Sequence, residues 1–134
     1  MLVLDTHALI FAGVAPTRLS ARARRAIESG TRSGSLAVSD ISLWETAMLI
    51  AKGRLDLPVE AAGNATQFIE DLLTARSVEV LPITPEIAVL SQSGAFVHGD
   101  PADRLIAATS IVHRARLVSG DQVLRRMKQL DIVW

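Results

Sequence analysis

The sequence predicts an α/β fold in which helices cover both faces of a parallel sheet. Short apolar runs alternate with segments of helical pattern along the 134 residues, and this alternation is typical of such folds. The first run, Leu2-Val3-Leu4, contains no polar position, which is expected of a strand buried on both faces. No linker, repeat or low-complexity stretch interrupts the chain. We therefore expect a single domain over residues 1–134.

The first third of the chain contains two predicted helices and a second strand. The helical segments cover residues 8–12 and 20–30. Ser20 is a suitable N-cap for the second of them, and Gly30 is a suitable stop. The apolar run Leu36-Ala37-Val38 then predicts the second strand.

The middle of the chain contains two further predicted helices and a third strand. Ser39 is expected to open a helix that ends before Gly53. Pro58 separates it from a helix predicted around residues 59–75. The run over residues 78–81 then predicts the third strand.

The last third contains three helix starts and two strands. Pro85 is at the first position of one predicted helix, and Asp100 is the N-cap candidate of the next. Leu117-Val118 predicts a fourth strand, after which Asp121 opens the last helix. Residues 132–133 are expected to form an edge strand.

Composition excludes several classes of protein. The chain contains no cysteine, which rules out disulfides and thiolate metal sites and fits a reducing cytoplasm, where we expect the protein. The formal net charge is zero, so any attraction to nucleic acid must be local. No apolar run approaches the ~20 residues that span a bilayer. The high hydrophobic fraction of 49% favours an exposed apolar face used for self-association.

Four acidic residues are predicted to meet at one edge of the sheet. Parallel α/β sheets bind ligands beyond the carboxyl ends of their strands. Asp5 follows the first strand directly, and Asp121 follows the fourth across a Ser-Gly turn. Glu45 and Asp103 reach the same region from the first turns of helices. Clustered carboxylates repel one another, so without a metal at least one should hold a proton above its ordinary pKa. Mg²⁺ or Mn²⁺ would neutralise them, which favours a metal-dependent enzyme acting on a phosphate ester.

Glu45 is the most informative of these acids. Its helix is expected to place Ile41, Trp44, Met48 and Leu49 on one broad apolar side, with Glu45 among them. A carboxylate there is costly unless it is paired or bound to a metal. The alternative is a salt bridge to a buried arginine.

The other acids also have purely structural explanations. Asp5 and Asp121 are each suited to capping the turn or helix that follows. Asp100 is an N-cap candidate, and Asp103 occupies the third helical position, where an acid favours the helix dipole. Asp103 precedes an apolar stretch, which favours Asp103 as the acid that faces inward. Ser119 is predicted either to hold an acidic side chain or a metal-bound water, or to make a turn hydrogen bond.

One region of the chain is locally basic. It contains Arg18, Arg22, Arg24, Arg25 and Arg32. This region is expected to meet a nucleic-acid backbone or an acidic partner segment, or to be a solvated helix face. Aromatic residues make up only 4% of the chain, so base stacking is not expected to dominate nucleic-acid binding.

Four segments resemble the motifs of the PIN-domain family, in particular the VapC-type toxins of bacterial and archaeal toxin–antitoxin pairs. They are Leu4-Asp5-Thr6-His7, Ser39 through Trp44-Glu45 with Lys52-Gly53-Arg54-Leu55, His98-Gly99-Asp100-Pro101-Ala102-Asp103-Arg104, and Val118-Ser119-Gly120-Asp121. Each motif alone is weak, but four in this order across essentially the whole chain are specific. The resemblance implies a three-layer α/β/α sandwich with a central parallel sheet.

The resemblance also implies an endoribonuclease that depends on Mg²⁺ or Mn²⁺. By motif position, the catalytic and metal-binding acids would be Asp5, Glu45, Asp103 and Asp121, with Thr6, Ser119 and Asp100 in support. Asp5 and Asp103 would hold the principal metal. Ser119 stands where threonine is common and His7 where many relatives carry asparagine, and neither departure removes a carboxylate.

The implied partners are an RNA substrate and a small antitoxin protein. The antitoxin would combine a DNA-binding end with a segment that blocks the acidic groove. Relatives commonly form homodimers, which suits the apolar composition.

Three other functions compete with this interpretation. A phosphatase of the haloacid dehalogenase type would carry a second aspartate two residues after Asp5, where this chain has His7. A receiver-like module needs a lysine at a late strand end, but the only lysines are Lys52 and Lys128. A catalytically silent PIN-like binding module is the third, against which the complete acidic quartet argues.

Overall fold

The computed structural model describes residues 1–97 and 99–134, so His98 of the third motif lies outside the described residues. Within them, the strands are β1 (Leu2–Leu4), β2 (Leu36–Ser39), β3 (Glu79–Leu81), β4 (Arg116–Val118) and β5 (Ile132–Val133). The helices are α1 (Thr6–Val14), α2 (Ala21–Ser33), α3 (Ile41–Ala51), α4 (Val59–Gly63), α5 (Ala65–Thr74), α6 (Pro85–Ser91), α7 (Pro101–Val112) and α8 (Gln122–Arg125), and a 3₁₀ turn spans Pro16–Arg18.

The strands form a parallel sheet in the order β3-β2-β1-β4-β5. In the central strand, Leu4 is paired with Val38 of β2 and with Val118 of β4. The chain builds outward from β1 first on one side and then on the other, so the strand order reverses between β1 and β4. Ligand sites of open α/β sheets lie beside such a reversal, at the carboxyl ends of the strands.

Helices cover both faces of the sheet, because neighbouring strand residues point to opposite sides. Leu2 and Leu4 of β1 belong to one apolar cluster, which includes buried residues of α1, α2 and α5. Val3 belongs to a second cluster, which includes Ile87 of α6 and Ile106 of α7. This arrangement confirms the predicted three-layer α/β/α sandwich. In the described part of the chain, no helix has the length and apolar character needed to cross a bilayer.

Several predicted helix starts are confirmed by their capping hydrogen bonds. The Ser20 hydroxyl accepts a hydrogen bond from the N–H of Ala23 at 3.0 Å, as an N-cap does. Thr84 caps α6 in the same way, with Pro85 at the first helical position. Gly53 follows α3 with φ of +64°, the left-handed conformation expected of a glycine at a helix end.

Two predicted helix boundaries are wrong. α2 does not stop at Gly30: it continues to Ser33, and Gly34 with φ of +63° ends it. Gly30 serves packing instead, since a Cβ there would collide with Leu36. The helix predicted around residues 59–75 is interrupted at Asn64, whose side chain accepts from the N–H of Gln67 at 3.1 Å and starts α5.

The start and the apolar side of α3 also differ from expectation. Ser39 is the last residue of β2, and Asp40 precedes the helix. Asp40 makes no capping bond; its Oδ2 accepts from the backbone N–H of Ile83 at 3.1 Å. Trp44 is 60% exposed and therefore does not lie on the core-facing side. Glu45, by contrast, is buried as predicted.

Candidate active site

The predicted acidic residues line one pocket at the carboxyl ends of β1 and β4. The pocket has a volume of about 390 Å³. It is lined by Asp5, His7, Phe11, Arg18, Glu45, Asp100, Asp103, Gly120, Asp121 and Trp134. Five carboxylates therefore share a small space with an arginine, a histidine and two aromatic rings. The pocket lies beside the strand-order reversal, where such sheets bind ligands.

Asp5 is held rigidly between β1 and α1. Its backbone N–H donates to the carbonyl of Val118 at 3.0 Å, which extends the pairing of β1 with β4 by one residue. Its Oδ1 accepts from the N–H of Ala8 at 2.7 Å and caps α1. The residue is 6% exposed. Asp5 thus has the capping role proposed as its structural explanation and also faces the pocket.

The surroundings of Asp5 raise the pKa of its carboxyl. Burial raises the pKa of the Asp5 carboxyl, and the neighbouring Glu45 charge raises it further. Hydrogen bonds from Ser119 and Ala8 and the charge of His7 oppose the shift but do not cancel it. The raised pKa agrees in direction with the expectation for clustered carboxylates, but burial is its largest cause and the neighbouring acid contributes least.

Glu45 reaches the pocket from the first half of α3 and is 8% exposed. The negative charge of Glu45 repels that of Asp5. The ion pairs found among the described residues do not include one between Glu45 and an arginine, so the predicted alternative of a buried salt bridge is not seen there. A buried carboxylate of this kind is costly in the absence of a compensating cation.

Asp100 and Asp103 reach the pocket from the start of α7. Asp100 is the N-cap: its Oδ1 accepts from the N–H groups of Ala102 and Asp103 at 2.8 and 3.2 Å. Asp100 is exposed and Asp103 is half-buried, in agreement with the expectation that Asp103 is the inward acid. The next residue, Arg104, donates through Nε to the carbonyl of Ser91 at 2.7 Å and so ties α7 to α6.

Ser119 links two of the acids. Its hydroxyl donates to the Asp5 carboxylate and accepts from the N–H of Asp121 at 3.1 Å. Asp121 in turn caps α8, accepting from the N–H of Leu124 at 2.8 Å. Both roles predicted for Ser119, the support of an acid and a turn hydrogen bond, are therefore present together.

Thr6 lies behind the pocket and is 1% exposed. Its hydroxyl donates to the Ser42 hydroxyl at 3.1 Å. This bond joins the first turn of α1, next to Asp5, to the first turn of α3, one turn before Glu45. Thr6 therefore supports the relative position of the two helices that carry these acids.

The aromatic and basic walls of the pocket were not predicted from the sequence. The guanidinium carbon of Arg18 lies 4.3 Å from the ring centroid of Phe11, and the His7 ring lies 5.7 Å from the same ring. Trp134 follows β5 and packs over Gly120. Arg18 is the member of the basic region that lines the pocket, whereas Arg22 does not. The spacing of His7 and Phe11, one helical turn apart, was an available signal for that stack.

The donor chemistry of the pocket fits a hard divalent cation. Carboxylate oxygens are the ligands that Mg²⁺ and Mn²⁺ prefer, and two of the pocket's carboxylates, those of Asp5 and Glu45, are buried. Among residues 1–97 and 99–134, however, no three acids or histidines already stand in positions to hold one ion. The pocket therefore collects suitable donors without arranging them around an ion.

Comparison with known proteins identifies the family. The model of the PIN domain matches residues 2–130. The chain belongs to the PIN-domain family. The ribonuclease VapC22 of Mycobacterium tuberculosis (strain ATCC 25618 / H37Rv) is 38% identical over 123 residues, which cover 92% of this chain and 88% of that protein.

Solved structures share this PIN fold. VapBC2 from Rickettsia felis, bound to a DNA fragment from their promoter, has a TM-score of 0.70 at 18% identity and covers 98% of this chain and 96% of that chain. A toxin–antitoxin complex from Klebsiella pneumoniae has a TM-score of 0.61 at 18% identity and covers 97% and 95%. At these identities the likeness establishes the fold alone.

Proposed function

We propose that this PIN-domain protein is a metal-dependent endoribonuclease and the toxin of a VapBC-type toxin–antitoxin pair. The observation that carries the proposal is the gathering of five carboxylates in one pocket, with Asp5 and Glu45 buried. The name of the 38% identical relative, a ribonuclease, supports it. The structural likeness to a toxin–antitoxin complex is consistent with the second part.

In this proposal the acidic quartet is the catalytic and metal-binding set. Asp5 and Asp103 would hold the principal Mg²⁺ or Mn²⁺ ion, and Glu45 and Asp121 would complete the pocket. When bound, the ion supplies an acidified water and offsets the negative charge that builds on the phosphate. It also removes the cost of burying Asp5 and Glu45 in charged form.

The protein side chains prepare the site before the substrate arrives. Asp5 is fixed by the Ala8 N–H and by Ser119, and Asp121 by the Leu124 N–H. Carboxylates held in this way need little reorganisation during the reaction. One of them accepts the proton of the water whose oxygen bonds to phosphorus. The bond from phosphorus to the leaving ribose oxygen breaks, and that oxygen takes a proton from solvent.

Arg18 is the proposed phosphate-binding residue of the pocket. Its guanidinium is positioned over Phe11 at the pocket wall, and a guanidinium can donate two hydrogen bonds to one phosphate. It would hold a phosphate beside the scissile one, away from the carboxylates. In this role Arg18, one residue of the basic region, contacts the RNA backbone.

The proposal includes an antitoxin whose segment occupies the same pocket and blocks RNA. A basic side chain of that segment would replace the cation electrostatically at the carboxylates. We also propose that the chain forms a homodimer and acts in the cytoplasm.

A catalytically silent PIN-like binding module is the alternative. The absence of a ready-made arrangement of three metal ligands among the described residues favours it. The two functions differ in one measurable property, because only the enzyme breaks RNA in a metal-dependent way.

The decisive experiment is cleavage of a mixed cellular RNA pool by purified protein, with Mg²⁺ or Mn²⁺ against EDTA. Asp5→Asn is the test variant, since asparagine retains the shape and the capping oxygen but removes the charge. Asp131→Asn is the matched control: Asp131 is 68% exposed and pairs with Arg116 at the opposite end of the sheet. Metal-dependent cleavage by the wild type and by Asp131→Asn, but not by Asp5→Asn, supports the enzyme. No cleavage with any metal by folded, antitoxin-free protein supports the binding module.

A further inference from the structure

Trp134 forms an aromatic wall of the acidic pocket that the steps above do not use. It follows Val133, the last residue of β5, which is paired with Val118 of β4. This pairing brings Trp134 to the same sheet edge as Asp5 and Asp121, and all three line the pocket. The residue is half-buried and lines the pocket, so part of it is accessible to a ligand.

The Trp134 ring packs closely against Gly120 and against the first apolar cluster. A Cβ on residue 120 would lie 2.7 Å from Cζ2 and 2.8 Å from Cε2 of the indole, closer than atoms can approach. Only glycine therefore allows the ring to lie on this part of the backbone, next to Asp121. An aromatic ring packed on both backbone and core loses less conformational freedom when a ligand stacks on it than a free side chain would.

The charge of the pocket explains why an aromatic surface is needed there. Five carboxylates line the pocket, against the basic groups of Arg18 and His7, and the whole chain has no net charge. The phosphates of RNA therefore gain little from long-range attraction to this protein. A nucleobase is neutral, and its stacking on an aromatic ring does not depend on that charge.

We propose that Trp134 is the stacking platform for the nucleobase next to the scissile phosphodiester. This inference rests on the proposed ribonuclease function and extends it to the substrate: the RNA is single-stranded at the cleavage site, because a paired base does not present its face. Trp134 binds and positions the substrate and takes no part in proton transfer. The platform lies beside the carboxylates, so it determines which phosphodiester enters the site.

Intrinsic fluorescence tests the proposal directly, because the chain has only two tryptophans. Trp44→Phe leaves Trp134 as the sole reporter, and Trp44 is 60% exposed and does not line the pocket. Single-stranded RNA octamers and abasic octamers are each titrated into the protein. One series is run in EDTA, and a second is run with Mn²⁺ in the Asp5→Asn background, so that RNA is bound but not cleaved. Anisotropy of labelled octamers measures binding independently. Octamers with bases should quench Trp134 at saturation, abasic octamers should not, and the matched Trp134→Phe protein, which retains Trp44, should show no quenching.

Kinetics provide the second test. Trp134→Leu should raise KM for single-stranded RNA about tenfold, with kcat changed less, while Trp134→Phe should remain within about threefold of the wild type. Thermal melting verifies that both variants are folded. RNA that binds and is cleaved without quenching Trp134, or Trp134→Leu kinetics equal to those of the wild type, would overturn the stacking role alone. Failure of the wild type both to bind and to cleave RNA would overturn the proposed function instead.

Discussion

Substitutions of Asp100 can distinguish a helix-capping role from a metal-binding role for this residue. Its Oδ1 already accepts two backbone hydrogen bonds, from Ala102 and Asp103, and the residue is exposed. We therefore expect Asp100 to act mainly as the N-cap of α7, and its neighbour Asp103 to act on the metal. Asparagine caps helices about as well as aspartate, whereas alanine does not cap them.

The magnitude follows from the lost cap. Replacing a capping aspartate by alanine typically costs about 1 kcal/mol of the free energy of unfolding. An unfolding entropy of about 2.1 cal/mol/K per residue over 134 residues amounts to about 0.28 kcal/mol/K. Asp100→Ala should therefore lower Tm by about 4 °C, while Asp100→Asn should leave it within about 1 °C.

Differential scanning calorimetry and RNA cleavage on the same preparations check both parts. Asp100→Asn should keep most of the cleavage activity, and Asp103→Asn should lose about 100-fold or more, the loss typical of removing one electrostatic group from an active site. If Asp100→Asn melts like the wild type yet loses as much activity as Asp103→Asn, Asp100 is part of the metal site. If Asp100→Ala melts like the wild type, the capping argument is wrong.

Three further predictions concern the pocket and the fold. Because the pKa of Asp5 is raised in the folded protein, its stabilising contribution is complete below the unfolded pKa of about 3.9 and is lost as pH rises through the folded pKa. Metal-free Asp5→Asn should thus melt higher than the wild type at pH 7 and equally at pH below about 4; parallel melting curves across this range would contradict it. Arg18→Gln should weaken RNA binding and reduce the slope of log K against log salt by about 0.7, and Arg22→Gln should not. Gly34→Ala should cost about 1 kcal/mol, because φ is +63° there, while Gly63→Ala, in a helix with open space around it, should not destabilise.

Local signals predicted those parts of the fold that depend on neighbouring residues. The cap at Ser20 and the turn at Gly53 each rest on residues a few positions apart, and so does the apolar run of β1. The interruption at Asn64 was not predicted, although its signal is local. A single capping residue lies there between two segments that both have a helical pattern. The exposure of Trp44 was missed because a helix with apolar residues all round does not reveal which side faces the core.

The acidic half of the pocket was predictable from the sequence, whereas the Trp134 wall was not. Asp5 and Asp121 follow strands, and parallel strands bring their carboxyl ends to one edge. The approach of Trp134 to Gly120 depends instead on the pairing of β5 with β4. That pairing joins two segments of the chain, and the short run over residues 132–133 contains too little pattern to specify its partner.

The buried acids of the pocket lower the stability of the fold. Asp5 and Glu45 are both nearly buried and repel one another, so each charge costs free energy that the apolar clusters on the two faces of the sheet must offset. Capping explains Asp5, because the Ala8 N–H needs an acceptor, but an uncharged asparagine or serine would cap equally well. No capping role exists for Glu45 within α3, where its helix position is internal. Neither buried charge is required by the structure alone, and the proposed cation, held mainly by Asp5 and Asp103 beside Glu45, would offset both. The melting temperature of the wild-type protein should therefore rise with Mn²⁺, while that of Asp5→Asn should respond less.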